Sequence, residues 1–264
     1  MQTLNIIKIG GDIINHELRL NQFISLISEI KTPMILIHGG GKLLDQFATQ
    51  LGIEQQMVDG RRITDAATLA LATMVYAGGI NKKIVALCQS NGIQTIGLSG
   101  ADNNCLQAHQ RKIGEIDFGF VGDIIKEGVN TKFISLLLSQ NIMPVFCSIT
   151  HDNQGQLFNT NADTLASVLA QAMSSYYEVQ LMYCFEKNGV LRNVEDEESV
   201  IPNINANEYK ILQQQGIISQ GMIPKLDNAF AAIEGGVCRV IIAHALNILK
   251  SQHETDYVGT KIIR

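Results

Sequence analysis

Two strand-like runs in this chain end in glycine, and each is followed by a helical segment. "IIKIGG" closes with Gly10 and Gly11; "MILIHGGGK" closes with Gly39, Gly40 and Gly41 and opens a helix at Lys42. Buried strands that stop in side-chain-free turns and hand over to helices are the units of an open parallel sheet. The pattern continues along the chain. Strand character is expected at 5–9, 33–38, 93–99, 142–149, 179–184 and 238–242, with a short last strand in "TKIIR". Helical period is expected at 18–30, 42–51, 65–77, 81–91, 131–140, 162–173, 207–215 and 222–235. The stretch 53–64 is polar and turn-rich, and 105–128 holds short strands broken by glycine, which suggests antiparallel hairpins. A chain of 264 residues, 46% hydrophobic, suffices for one large α/β domain or two lobes sharing a sheet. No Pro/Gly/Ser linker separates such lobes.

Composition excludes several classes of partner. The net charge is -5, and no Lys/Arg cluster exceeds two or three residues, so neither nucleic acid nor an anionic membrane is expected. No apolar run reaches the roughly 18 residues that span a bilayer. No signal peptide is read at the start of the chain. The five cysteines, Cys88, Cys105, Cys147, Cys184 and Cys238, are odd in number and widely spaced. They read as reduced thiols of a cytoplasmic protein. No Cys/His metal spacing occurs.

An acidic chain that handles an anion must build a local positive site, and the glycine loops are where to look. Open parallel sheets bind ligands at the C-terminal ends of their strands. Lys8 lies within a strand between Ile7 and Ile9. A buried lysine is costly unless an anion meets it, although a strand lysine can also snorkel to water. Gly10 and Gly11 would let a ligand approach and leave amide groups free. Gly39–Gly41 before a helix suit an anion or carboxylate. They fit neither a Walker loop nor a dinucleotide fingerprint. "DGRRIT" (59–64) offers two arginines ahead of a helix that Thr64 or Asp65 would cap. In "FNTNADTLA" (158–166), Asn161 is a possible cap and Asp163 a possible partner for lysine. "GMIPK" sets Lys225 early in an apolar helix.

"KIGG", "HGGGK", "GRRIT", "NTNAD" and "GMIPK", in this order and over essentially the whole chain, resemble the amino acid kinase family. The resemblance implies an α/β fold, an open α/β/α sandwich with a mostly parallel central sheet. It implies a lobe of about 1–175 that holds the amino-acid substrate and dimerises, and a nucleotide lobe of about 176–264. It implies ATP-dependent phosphorylation of the γ-carboxylate of N-acetyl-L-glutamate, with Mg²⁺ held mainly by the nucleotide phosphates. Site residues follow from the same match. Lys8, Lys225 and Asp163 would be catalytic. Gly40, Gly41, Arg62, Asn159 and Asn161 would hold the substrate. Gly10, Gly11, Glu186, Gly189, Ile217, Ile218 and Ser219 would hold the nucleotide. No protein ligand set for a metal is implied. "GLSGADN" (97–103) and "DFGFVGD" (117–123) match the family's substrate-lobe segments. "YCFEKNGVL" (183–191) departs from the family's "TDV.G"-like stretch, with Glu186 near the expected aspartate.

Alternatives remain at this level: an N-succinyl-L-glutamate kinase, a family member acting on carbamate, aspartate, glutamate or UMP, or a non-catalytic metabolite sensor. Arg61, Lys82, Lys83, Arg111 and Lys112 are the cations that could meet a longer, charged acyl tail. The chain opens on its first strand, without the N-terminal helix that resembles a requirement of arginine-sensitive, ring-forming members. The expectation is a homodimer that arginine does not inhibit. Its apolar helix 65–77, with Leu69, Leu71, Met74 and Val75, is a candidate contact face.

Overall fold

A computed structural model describes residues 1–58, 61–218, 221–251 and 258–264. β1 (Thr3–Ile9) runs into a short α1 (Gly11–Asn15) and then α2 (Glu17–Ile27). β2 (Met34–His38) passes through the glycines into α3 (Gly41–Leu51). A small hairpin follows, β3 (Met57–Val58) with β4 (Arg61–Arg62). Then come α4 (Ala66–Thr73), a π-helical segment Met74–Ile80 and α5 (Asn81–Ser90). β5 (Thr95–Leu98), β6 (Leu106–Gln110), β7 (Gly122–Val129) and α6 (Thr131–Ser139) lead to β8 (Met143–Cys147). β9 (Ile149–His151), β10 (Leu157–Asn159) and α7 (Ala162–Met173) follow. The remainder holds β11 (Glu178–Phe185), β12 (Asn203–Ile204), α8 (Ala206–Gln214), α9 (Ile223–Glu234), β13 (Arg239–His244), α10 (Ile248–Ser251) and β14 (Thr260–Ile262).

The central sheet has eight strands in the order β12-β14-β13-β11-β1-β2-β8-β5. Its described pairings are parallel except β13 with β14. The chain builds outward from β1 on one side through β2, β8 and β5. It later returns to the other side through β11 and β13. That reversal leaves a crevice above the C-terminal ends of β1, β2 and β11, where such sheets bind ligands. A four-stranded sheet, β10-β9-β6-β7, lies apart from it. β6 and β7 form the antiparallel pair expected within 105–128.

Strand alternation decides which way Lys8 points. Leu4 and Ile6 pack with residues of α6, α7 and α9 on one face, whereas Ile7 and Ile9 pack with α1, α2 and α3 on the other. Each such fully buried side chain stabilises by roughly 1.5–3 kcal/mol. Lys8 shares the parity of Leu4 and Ile6, so it faces α7.

One element was missed and two expectations are corrected here. The five-residue α1 is too short to leave a period in sequence. The stretches 65–77 and 81–91 are not separate helices. The backbone stays helical from Thr73 through Asn81, and Gly78–Gly79 lie inside the π-helical turn instead of breaking it. Packing decides this over glycine's poor propensity, for Tyr76 and Ile80 are both buried against the core. The proposed contact face of that helix is mostly interior. Leu69, Leu71 and Val75 are buried, and only Met74 is exposed. Among the described residues, no helix is long and apolar enough to cross a membrane.

Candidate active site

Asp163 enters the crevice in the first turn of α7. Asn161 caps that helix, its side-chain oxygen accepting from the N–H groups of Asp163 and Thr164. Lys8, from the end of β1, brings Nζ to 2.6 Å from Asp163 Oδ1. Lys225, from the first turn of α9, donates to Oδ2 at 3.1 Å. All three side chains are less than a fifth exposed. Burial by itself would raise the Asp163 pKa, but the ammonium groups of Lys225 and Lys8 outweigh it and hold the carboxyl well below the usual range. Burial lowers the Lys225 pKa; Asp163 works against that, and the like charge of Lys8 adds to it. Two cations share one carboxylate, so the cluster carries a net positive charge in a poorly solvated place. That arrangement calls for an anion.

Tyr183 holds this triad from below, a role the sequence did not suggest. It pairs with Lys8 in the β1–β11 register. Its hydroxyl donates to the Asp163 carbonyl at 3.0 Å, and burial keeps the phenol protonated by pushing its pKa well up. Lys225 Nζ lies 5.3 Å from the Tyr183 ring centre and 5.7 Å from that of Phe185, within cation–π range. The only sequence signal was the strand register, which alignment of β1 with β11 would have required.

Two cavities flank this cluster, one lined by Lys8 and Lys225 themselves and the other by their chain neighbours Ala162, Thr164 and Pro224. One, of about 440 Å³, is lined by Lys8, Gly10, Gly11, Glu186, Gly189, Ile217, Ile218 and Lys225. The other, of about 520 Å³, is lined by Gly39, Gly40, Gly41, Arg61, Arg62, Asn159 and Asn161. The first gathers the expected nucleotide-side residues and the second the expected substrate-side residues. Ser219 lies outside the described residues. The amide of Gly10 is not free as expected; it donates to the Cys184 carbonyl at 2.8 Å, continuing the sheet. At the second cavity, α3 begins at Gly40 without a side-chain cap. Gly40 offers those first N–H groups no side-chain acceptor, and the helix dipole favours an anion there.

The second cavity is ringed by guanidinium groups with different partners. Arg62 bonds Asp45 at 2.7 Å and also donates to Gln55. Neither partner was recognisable in sequence, because both lie in the polar stretch and helix before it. Arg111 forks onto Asp123 and lies over the Phe118 ring. Arg61 is exposed at the rim. Lys82 turns away to the Gly97 carbonyl. Asn159 donates to the Thr64 hydroxyl at 3.1 Å. The segment around Gly119 stitches these parts together: Thr64 donates to the Phe118 carbonyl, Phe120 to that of Thr64, and Asn159 to that of Phe120. Asp65, not Thr64, caps α4. Among the described residues, no group of three His, Cys, Asp or Glu side chains is placed to hold a metal ion.

The chain is similar to known proteins over nearly its whole length. A model of the amino acid kinase family matches residues 3–244. An acetylglutamate kinase of Phocaeicola vulgatus is 50% identical over 248 residues, 93% of this chain and 96% of that protein. One of Cytophaga hutchinsonii is 50% identical over 264 residues, 100% of this chain and 99% of that protein. Among solved structures, N-acetylglutamate synthase from Neisseria gonorrhoeae, complexed with coenzyme A and N-acetyl-glutamate, superposes with a TM-score of 0.84 at 22% identity. That match covers 100% of this chain and 59% of the synthase. Carbamate kinase from Giardia lamblia bound to AMP-PNP gives a TM-score of 0.70 at 15% identity, covering 100% of this chain and 98% of that one. At these identities the structural likeness is one of fold.

Proposed function

The chain belongs to the amino acid kinase family, and on that premise we propose how it phosphorylates the γ-carboxylate of N-acetyl-L-glutamate at the expense of ATP. A carboxylate oxygen bonds to the γ-phosphorus as the bond to the bridging oxygen of ADP breaks. The products are ADP and N-acetyl-L-glutamyl 5-phosphate, an intermediate of arginine biosynthesis. The observation that carries the reading is a single carboxylate held between two mostly buried lysines, with one cavity lined by those lysines and a second by the immediate chain neighbours Ala162, Thr164 and Pro224.

The nucleophile is already ionised, so the site needs no general base. Catalysis reduces to aligning two anions and neutralising the charge on the transferring group. Lys8 and Lys225 supply that neutralisation, Asp163 keeps both ammonium groups in place, and N–H groups of Gly40 and Gly41 add donors. Arg62 and Asn159 hold the α-carboxylate, with Asn161 fixing the loop between Asn159 and Asp163. The nucleotide occupies the cavity of Gly10, Gly11, Glu186, Gly189, Ile217 and Ile218. Both Asp163 oxygens face lysines, which suits a metal that arrives on the phosphates rather than in a protein cage. A Mg²⁺ ion carried on the phosphates would supply further neutralisation of their charge. Of the arginines lining the substrate-side cavity, Arg61 sits at its exposed rim and Arg62 and Arg111 are committed to Asp45 and Asp123, which favours the acetyl group, since a buried succinyl carboxylate would need an inward-facing cation of its own. Residues of about 1–175 form the amino-acid lobe and 176–264 the nucleotide lobe, α9 reaching into both cavities. A homodimer is the assembly we expect, with Phe47 and Leu51 of α3 and Met74 as exposed apolar side chains available to it.

The test is coupled ADP release over N-acetyl-L-glutamate, N-succinyl-L-glutamate, glutamate, aspartate and carbamate. Turnover restricted to the N-acyl-glutamates, with acetyl preferred, is expected. A preference for succinyl of about 10-fold, which is about 1.4 kcal/mol, would overturn the acyl assignment alone.

A further inference from the structure

The glycine loop is built on a histidine that touches neither cavity. His38 ends β2 and is fully buried. Its Nδ1 lies 2.8 Å from the carbonyl oxygen of Gly39, and its Nε2 lies 3.2 Å from Nδ2 of Asn81, the first residue of α5. Asn81 is itself buried. Its Nδ2 also donates to the Val145 carbonyl of β8 at 2.9 Å, and its Oδ1 accepts from Lys82 Nζ at 3.2 Å. These partners leave one consistent assignment of protons. The Asn81 amide nitrogen must be the atom facing Val145, so His38 Nε2 accepts and Nδ1–H donates to Gly39.

A planar trans peptide points its C=O and N–H in opposite directions. Turning the Gly39 carbonyl onto the His38 ring therefore turns the Gly40 N–H away from the ring. Gly40 lines the substrate-side cavity and His38 does not. Steric fit locks the same loop from the side. A Cβ on Gly40 would stand 2.3 Å from Ile80 Cδ1, and one on Gly97 would stand 1.9 Å from Asn81 Oδ1. Ile80 and Asn81 are neighbours, at the end of the π-helical turn and the start of α5.

We propose that His38 and Asn81 are a positioning pair for phosphoryl transfer: together they fix the Gly39–Gly40 peptide so that the Gly40 N–H faces the reacting groups. This rests on the reaction assigned above. Because the loop acts on the transition state, loosening it should cost turnover and not nucleotide binding. His38→Asn keeps an N–H near the Nδ1 position, whereas His38→Gln moves the donor toward Nε2. Asn81→Ala removes the tie and leaves His38 in place.

The experiment is steady-state kinetics with ATP and N-acetyl-L-glutamate, together with backbone amide NMR of Gly40 and Gly41. His38→Gln and Asn81→Ala are expected to lower kcat by about 10-fold or more, as small misplacements of catalytic groups do, with KM for ATP within about 2-fold of wild type. His38→Asn should retain kcat within about 3-fold, and its Gly40 amide signal should stay near the wild-type position while that of His38→Gln moves. Equal impairment of His38→Asn and His38→Gln, or an unmoved Gly40 signal in His38→Gln, would overturn the pair. So would an Asn81→Ala protein that melts earlier but turns over like wild type, and this variant decides if His38→Gln does not fold. The NMR arm needs no turnover, so failure of wild type to release ADP strikes the reaction and leaves the pair tested.

Discussion

Lys8 and Lys225 lie 217 positions apart in sequence and meet at one carboxylate. Removing either should lower kcat by on the order of 10² or more, the usual cost of a lost preorganised charge. Arg62→Ala should instead raise KM for N-acetyl-L-glutamate more than it lowers kcat, because its grip is the same in ground and transition states. Wild-type kcat in either lysine variant would sink the triad. The pH profile makes a second demand. Burial and Lys8 lower the Lys225 pKa from 10.5, so the active ammonium form is lost as pH rises, beginning below that value. The basic limb of kcat/KM should thus fall below pH 10.5. The limb of kcat should sit higher, since bound phosphates favour the charged form. A free-enzyme limb at or above the ordinary lysine value would contradict the burial argument.

At the scale of elements, the glycine loop and the π-helical turn are one unit. The requirement for glycine at position 40 is one of contact. Ile80 and Tyr76 occupy the space a methyl group would need. Gly40→Ala should destabilise by about 1–3 kcal/mol through overpacking, and lower activity because the loop must shift. Urea unfolding monitored by circular dichroism, alongside ADP release, measures both. An alanine variant with unchanged midpoint and rate would mean that the two elements are not in firm contact. Gly41 is the control: its nearest neighbour to an added Cβ is an Arg62 nitrogen at 3.7 Å, an ordinary contact.

For the whole molecule, acid stability and assembly are the accessible observables. Burial depresses the His38 pKa from 6.5 to about 4, with Lys82 of α5 adding to the effect and the Gly39 hydrogen bond opposing it. The unfolded chain then binds a proton that the native chain refuses. Stability present above pH 6.5 is lost as pH falls toward 4, by about 3 kcal/mol from this group alone. Asp163, also depressed, adds loss only below its ordinary 3.8. Urea midpoints across this range should fall more steeply in wild type than in His38→Asn, and parallel slopes would refute the burial of a neutral imidazole. Light scattering of the purified protein should give twice the 28.9 kDa chain mass; a monomer or a hexamer would contradict the proposed dimer.

The alternation of strand and helix, the glycines that end β1 and β2, and the loops bearing Lys8, Asp163 and Lys225 were legible because each is written locally. Period, turn chemistry and motif order survive without knowledge of neighbours, and they suffice for a parallel sheet with its site at the strand ends. Beyond the pairing of Asp163 with lysine, which the motif match implied, partnerships between distant segments were not legible. Tyr183 supports Asp163 only because β11 pairs with β1 in one register. Arg62 meets Asp45 and Gln55 only because the hairpin folds onto α3. The helical period expected at 65–77 and 81–91 leaves out the two glycines at 78–79, yet packing of Tyr76 and Ile80 carries the helix through them. His38 looked like the last residue of a strand, and its work depends on an asparagine 43 positions away. Local preferences are worth tenths of a kcal/mol to about one per residue. A buried polar group left without its partner costs more than that, and only the assembled structure decides which partner it finds.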